Sequence, residues 1–309
     1  MLLLLAAALP GLFWEGPPDT AAALRDAGIR QILVPAARLD AWKSVPDISV
    51  KAGDPQGAVK LLAPTVNYRM DQASASRAPW LDANGWKFLR QPQGRFYYDV
   101  PGKQAAIAAA EAFCYGADAM IRTDAEGLKA LGQMLDFLRG VGGEPMPAVA
   151  DIGFIDDGSA VAGEVMNLMV RNNLLFRIVS APDRSLKLNV RLGSKEYPLE
   201  DAKNPSKMAH EIRANLTDDK RSVRIYGSTV VVARLTATGG RARLQLLNYG
   251  GASRNVDGIR VRVQGRYPKH QFAAAGTPGA ELVDYTADVD ATEFTLSELK
   301  TYAVIDLSR

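Results

Sequence analysis

The sequence predicts an α/β chain that ends in an antiparallel β-sandwich. From residue 11 to about residue 228, apolar strand-like runs alternate with amphipathic helix-like runs. From residue 229 onward the apolar period changes to two, most cleanly in IRVRV (259–263) and TEFTL (292–296). The first pattern is typical of helices packed on a parallel sheet, and the second of half-buried strands.

The clearest β-α-β unit lies near the start of the chain. An apolar strand around Leu12 to Trp14 is followed by a Pro-Pro-Asp turn, the helix DTAAALRDAGI (19–29) and the strand QILVP (31–35). Asp19 is suited to cap the start of this helix, and Gly28 to end it. The short connections favour parallel strands joined by a right-handed crossover.

Two further helices are predicted in the same region, QAAIAAAEAFCYG (104–116) and GLKALGQMLDFLRG (127–140). The second places Leu128, Leu131, Leu135 and Leu138 on one stripe. A complete eight-fold β/α barrel needs about 250 residues. The first domain (1–145), which ends within the Pro/Gly-rich break GVGGEPMP (140–147), has only 145 residues, so it is either a partial barrel or an open sheet.

Two more domains are predicted after this break. The middle domain (146–228) begins with the strand ADIGFIDD, continues into the helix SAVAGEVMNLMVRNN, and later holds the helix PSKMAHEIRANL, which Asn204 can cap. The last domain (229–309) contains the strands of the sandwich.

Composition excludes several classes of function. The formal net charge is +3, too small to make nucleic acid an expected partner. The single cysteine, Cys114, excludes an intrachain disulfide and a cysteine-cluster metal site, and two distant histidines do not suggest a zinc centre. We therefore expect no cofactor and no metal. The apolar start MLLLLAAALPG has the length of a signal-peptide core, so we expect a secreted or periplasmic protein without a membrane span, although a buried strand in a cytoplasmic protein fits the same residues.

Several segments together resemble a known architecture. They are NGWKFLRQPQGRFYYDVP, AAAEAFCYGADAMI, the strand-DDGS-helix segment, LQLLNYGG and FTLSELKTYAVIDL. In this layout the chain resembles bacterial glycoside-hydrolase-like proteins of the β-galactosidase type. The resemblance implies a reduced β/α-barrel-like domain, an amidotransferase-like middle domain and a C-terminal β-sandwich, with a carbohydrate as partner. It does not assign the family's acid and nucleophile glutamates to positions here, and the middle domain lacks a nucleophilic cysteine.

Acids that follow strands are the candidates for chemistry, because ligands of α/β folds lie at the carboxyl ends of the strands. Glu15 follows LFW and Asp124 follows AMIRT, and we expect these two as the carboxylates of a glycosidase. Trp80, Asp82 and Trp86 in WLDANGW are expected substrate contacts, since tryptophan rings can stack on sugar faces. The alternative is that the acids only form turns or caps and that the tryptophans cover a core edge.

The function expected from these residues is binding or hydrolysis of a carbohydrate. A non-catalytic carbohydrate-binding or scaffold protein that has lost the barrel's chemistry is the alternative, and a homo-oligomer is possible in either case. Asp156 and Asp157 could hold a hard cation; the alternative is that Asp157 or Ser159 only caps the following helix. The alternating basic residues Arg260, Arg262 and Arg266 could attract an acidic polysaccharide, or could form a solvated sheet face.

Overall fold

The computed structural model describes residues 9–67, 79–142 and 145–309. Its strands, in chain order, are β1 (Gly11–Phe13), β2 (Gln31–Val34), β3 (Ser49–Ala52), β4 (Val59–Leu61), β5 (Thr65–Asn67), β6 (Trp80–Asp82), β7 (Arg95–Asp99), β8 (Asp118–Arg122), β9 (Ile152–Ile155), β10 (Phe176–Ile178), β11 (Leu188–Arg191), β12 (Val223–Tyr226), β13 (Val231–Thr238), β14 (Arg241–Asn248), β15 (Val256–Gln264), β16 (Lys269–Ala275), β17 (Leu282–Ala287), β18 (Ala291–Leu299) and β19 (Tyr302–Ser308).

The helices are α1 (Ala21–Asp26), α2 (Leu39–Trp42), α3 (Gly85–Arg90), α4 (Gly102–Tyr115), α5 (Leu128–Val141), α6 (Ala160–Arg171), α7 (Leu199–Ala202) and α8 (Pro205–Leu216). Short 3₁₀ turns precede α1, α2 and α5 and follow α8. No helix in the described part of the chain is both long enough and apolar enough to cross a membrane.

The chain divides into two compact units. One contains residues 1–65 and 91–145, and the other contains residues 66–90 and 146–309. The segment 66–90, which includes α3, therefore belongs with the later part of the chain. The division into domains 1–145, 146–228 and 229–309 stays a prediction.

The first unit is built on a six-stranded sheet in the order β3-β2-β1-β8-β7-β4, with every pair parallel. Starting at β4, the neighbours follow as β7, β8, β1, β2 and β3. This is the cyclic succession of a β/α barrel, interrupted between β3 and β4. The predicted partial, barrel-like α/β domain is confirmed.

One face of this sheet is a hydrophobic core. Leu12, Ile32, Phe96, Tyr98 and Ile121 are almost fully buried on it. Helix α4 packs on β8 and on α5, and the predicted leucine stripe of α5 is buried. This packing is what makes an alternating strand-and-helix sequence fold into layers.

The predicted N-cap of the first helix is wrong in detail. Pro18–Thr20 forms a 3₁₀ turn, so α1 starts at Ala21 and its capping position is Thr20, without a side-chain cap. Gly28 does end the helix with φ of +75°, a backbone conformation that favours glycine. The predicted signal-like residues 1–8 lie outside the described residues.

The second unit begins its α/β part with a three-stranded parallel sheet in the order β10-β9-β11. Helices α6 and α8 pack on each other, and α3 packs on α6. The predicted Asn204 cap is confirmed, since its side chain accepts from the Lys207 amide. Of the alternatives for the DDGS segment, capping by Ser159 is the one observed, since its hydroxyl accepts from the Ala162 amide.

The β-sandwich follows directly. Its sheets have the orders β12-β15-β18-β17 and β13-β14-β19-β16, and their paired strands are antiparallel. The core between them includes Leu244, Val261, Phe294 and Ile305, none of which is exposed. The alternation of apolar and polar residues that predicted the sandwich is the alternation between core and outer faces.

A buried ionic network lies between β9 and β12. Asp151 has only 2% of its side chain exposed, and it accepts the Ser222 hydroxyl at 2.6 Å, the Ser222 amide at 2.9 Å and the Lys187 ammonium at 2.8 Å. Lys187 also donates to the Lys220 carbonyl and to Gln264. Such a carboxylate is stable in the interior only because all these donors surround it.

Candidate functional site

The carboxyl edge of the six-stranded sheet brings three charged residues together. Glu15 follows β1, Asp99 ends β7 and Arg122 ends β8, and these strands are neighbours in the order β1-β8-β7. Arg122 Nε lies 2.6 Å from Glu15 Oε2, and its Nη1 lies 3.1 Å from Asp99 Oδ1. The three side chains are 36–46% exposed, so solvent reaches the cluster.

The strand register explains the convergence. Asp99 pairs with Arg122 across β7 and β8, and Leu12 pairs with Ile121 across β1 and β8. Alternate residues of a strand share a face, so Tyr97, Asp99 and Arg122 project on one side. This side is opposite to the helix-covered face that holds Tyr98 and Ile121.

Tyr97 adds a hydroxyl to the cluster. Its ring packs edge-on against Phe13, with centroids 6.2 Å apart. Burial raises the pKa of the Tyr97 hydroxyl, the negative charge of Asp99 raises it further, and Arg122 acts in the opposite direction. At neutral pH Tyr97 is therefore a hydrogen-bond donor beside two carboxylates and a guanidinium.

Their shared contact with Arg122 sets an upper limit on the distance between the two carboxylates. Both contact nitrogens of one planar guanidinium, so their nearest oxygens lie within about 8 Å of each other. Retaining glycosidases hold the two groups about 5 Å apart and inverting ones about 6.5–9.5 Å apart. The same guanidinium also neutralises part of their charge and competes with a substrate for them.

Asp124, the other predicted carboxylate, has two backbone partners. Its Oδ2 accepts from the Gly102 amide at 3.0 Å, and its Oδ1 accepts from the Gly127 amide at 3.1 Å. It thereby joins the start of α4 to the turn before α5. This contact is tight, because a Cβ on Gly102 would lie 2.5 Å from the Gly127 nitrogen. These are the bonds of a capping residue.

Trp80 and Asp82 lie in the second unit, on the short strand β6. The Trp80 indole donates to Asp82 Oδ1 at 3.2 Å, and Asn67 donates to Asp82 Oδ2 at 2.7 Å. The Arg171 guanidinium lies 3.9 Å from the Trp80 ring centroid. The structure therefore brings Trp80 and Asp82 together, with one face of the ring covered by a cation.

Trp86 lies on α3 and packs against α6. A Cβ on Gly163 would come within 3.0 Å of the Trp86 ring, and Arg90 lies 5.6 Å from the ring centroid. Trp86 is half-buried. These contacts fit a ring that fills the space between two helices.

Asp156 and Asp157 are engaged with protein groups. Arg90 donates twice to Asp156, each bond 2.7 Å long, and these bonds hold the pKa of Asp156 below its ordinary value. Hydrogen bonding from Ser159 likewise lowers the pKa of Asp157. In the described ranges, no three histidine, cysteine, aspartate or glutamate side chains are grouped as a metal would need. The cation alternative for this pair is therefore not supported.

Sequence reasoning missed Asp99, Arg122 and Tyr97. The rule that selected Glu15 and Asp124 applies to Asp99 and Arg122, since they end RFYYD and DAMIR. The missing information was the strand order, which makes β8 the neighbour of both β1 and β7. Cys114 is buried, as an inert thiol in a packed helix should be.

Comparison with known proteins identifies the fold. No family model matches the chain, and no curated protein matches its sequence. Among solved structures, α-L-fucosidase isoenzyme 2 from Paenibacillus thiaminolyticus matches 87% of this chain and 70% of its own, with a TM-score of 0.54 and 8% identity.

Two other solved structures align over most of this chain, but their TM-scores are too low to support a conclusion about the fold. The β-galactosidase from Rahnella sp. R3 covers 97% of this chain and 60% of its own (TM-score 0.38, 10% identity). The GH42 exo-carrageenase from Bacteroides ovatus covers 84% and 48% (TM-score 0.36, 8% identity). This chain thus spans less than two thirds of either protein. The fucosidase match carries the conclusion that the chain has a glycoside-hydrolase-like fold.

Proposed function

We propose that this protein binds a carbohydrate at the carboxyl edge of its six-stranded sheet, through Glu15, Asp99, Arg122 and Tyr97. The observation that carries the proposal is the convergence of two carboxylates on Arg122 at the ends of three adjacent parallel strands. Barrel enzymes place their sites at this end of the strands. Carboxylate, guanidinium and phenol groups together accept from and donate to sugar hydroxyls.

Hydrolysis is the second part of the proposal. Glu15 and an aspartate would act as the carboxylate pair, one of them as the acid that protonates the leaving oxygen. The sequence predicts Asp124 as this aspartate. Asp99 is the alternative, because it shares Arg122 with Glu15. Hydrolysis requires Arg122 to release one carboxylate when the substrate binds, since the acid must carry a proton.

The shared guanidinium favours the non-catalytic alternative, in which the ion-paired carboxylates only accept hydrogen bonds from a sugar. In both cases we propose Trp80, Asp82 and Trp86 as carbohydrate-contacting residues of the second unit. The half-burial of all three side chains leaves part of each accessible.

The test is a screen of aryl glycosides for turnover, together with binding of oligosaccharides by calorimetry. Wild type is compared with Glu15→Gln, Asp99→Asn and Asp124→Asn, with Glu126→Gln as the exposed control. A binding protein gives no turnover and about tenfold weaker binding in the Glu15 and Asp99 variants, the usual effect of losing one charged hydrogen bond. A hydrolase gives turnover that falls by at least about 100-fold in the catalytic pair. Binding and turnover that are equal in all variants would exclude the strand-end site.

We also propose that the middle α/β part is amidotransferase-like in topology and that the protein is exported from a bacterial cell. Export would follow from the apolar run at residues 1–10. Fractionation of cells that express the full chain, with mass analysis of the amino terminus, tests it, and an uncleaved protein in the cytoplasm argues against it. A homo-oligomer stays a prediction, to be tested by sedimentation.

A further inference from the structure

A cavity of about 380 Å³ opens between two connections of the β-sandwich. The connection from β12 to β13 contributes Ser228 and Thr229, and the connection from β14 to β15 contributes Arg254 and Asn255. Asp257, from β15 itself, completes the polar lining, and Val230 and Pro79 add apolar surface. The volume lies in the range of small-molecule sites, about 300–1,000 Å³.

The longer of these connections is held firmly in place. Asn248 is fully buried, and its side-chain amide donates to the carbonyls of Arg254, Leu299 and Lys300 at 2.8–3.1 Å. Its Oδ1 accepts from the Gly250 amide at 2.9 Å. A buried side chain that satisfies so many backbone groups fixes the loop before any ligand arrives, which is the arrangement that a binding site requires.

The two charged groups of the lining are available. Among the described residues, the side chains of Arg254 and Asp257 have neither a hydrogen-bond nor an ion-pair partner. By contrast, Arg243, Arg260 and Arg262 of the same sandwich all form ion pairs. Arg254 and Asp257 also do not pair with each other, so they offer one donor-only and one acceptor-only group at separate points of the wall.

We propose that this cavity binds a neutral saccharide of one or two sugar rings. One positive and one negative group give the lining no preference for a ligand with a net charge of either sign. Sugar hydroxyls can both donate to Asp257 and accept from Arg254, and the hydroxyls of Ser228 and Thr229 can do either. The apolar surface of half-buried Pro79, beside the small exposed part of Val230, suits the C–H face of a sugar ring. This site belongs to the sandwich and does not depend on the strand-end cluster around Arg122.

The test uses the full chain and two neutral disaccharides, lactose and cellobiose, with glycylglycine as the zwitterionic competitor. Binding is measured by ligand-observed NMR and calorimetry for wild type, Arg254→Gln and Asp257→Asn. The exposed Asp288→Asn serves as the control in the same sandwich. We expect each lining variant to weaken disaccharide binding about tenfold or more, and the control to change it less than about twofold.

A further variant separates this site from the strand-end site. Glu15→Gln should leave the sandwich site intact, so disaccharide binding that survives in Glu15→Gln but is lost in Asp257→Asn supports the cavity. Thermal denaturation verifies that each variant is folded, and Ser228→Ala replaces any variant that is not. Absence of binding by both disaccharides, equal affinity in the lining variants, or displacement by glycylglycine would overturn the proposal.

Discussion

Replacement of Asp124 distinguishes a capping residue from a catalytic one. Asp124→Ala removes the side-chain acceptors of the Gly102 and Gly127 amides, and both glycines are buried. The Gly127 amide keeps the Asp124 backbone carbonyl at 3.2 Å, so only the Gly102 amide loses its acceptor entirely. Losing a cap costs about 1 kcal/mol, and a buried amide left without a partner costs about 1–3 kcal/mol. We therefore expect the free energy of unfolding to fall by about 3 kcal/mol. Asp124→Asn keeps one carbonyl oxygen and should lose roughly half as much.

The assay is urea denaturation followed by circular dichroism, with Glu126→Gln as the matched control in the adjacent turn. Glu126 is exposed, so its replacement should change stability by less than about 0.5 kcal/mol. If Asp124→Ala is as stable as this control, the capping interpretation is wrong. If Asp124→Asn keeps its stability and loses turnover, Asp124 is the catalytic carboxylate that the sequence predicts.

Three further changes test the packing and the ion pairs. Asp151→Ala should reduce the free energy of unfolding by about 3 kcal/mol, because it removes the acceptor of a buried hydrogen-bond network. The control Asp219→Ala, at a side chain that is 96% exposed, should reduce it by less than about 0.5 kcal/mol, and equal urea midpoints of the two variants would contradict this. Arg213 lowers the pKa of Asp218 to about 2 from its ordinary 3.8. The ionised Asp218 carboxylate therefore contributes fully to the free energy of unfolding above pH 4, and this contribution is lost as the pH falls toward 2. Because Asp218 is 40% exposed, that contribution is at most about 1 kcal/mol, and the stability difference between wild type and Asp218→Asn should shrink between pH 5 and pH 2 in urea titrations; a constant difference would refute the assignment. Gly132→Ala should destabilise α5 by more than about 2 kcal/mol despite the better helix propensity of alanine, because the new Cβ would lie 1.7 Å from a backbone carbonyl oxygen, and an increase in melting temperature would show that the helices can separate.

Local patterns in the sequence were sufficient for most of the fold. The leucine stripe of α5 and the period-two strands of the sandwich depend on which residues are apolar, and burial follows that pattern directly. The caps at Ser159 and Asn204 were equally predictable from the sequence, since capping involves residues within three positions of each other. The Asp19 cap failed because proline at the preceding position favours a tight 3₁₀ turn before α1.

The candidate site was only partly predictable. Glu15 was found because it directly follows an apolar strand, but its partner Arg122 is remote in sequence and joins it only through the parallel pairing of β1 with β8. No local pattern encodes that pairing. Asp124 shows the converse difficulty, because a strand-end acid that caps the next helix has the same sequence signature as one that binds a ligand.

The gap in the barrel succession leaves β3 and β4 as edge strands, each with one sheet neighbour among the described residues. An unpaired edge is a template onto which another chain can add a strand and aggregate. Here both edges are short, of four and three residues, and each carries an exposed lysine, Lys51 or Lys60. Short charged edges repel a copy of themselves, so neither edge of the sheet, as far as its strands are described, is a good template for polymerisation.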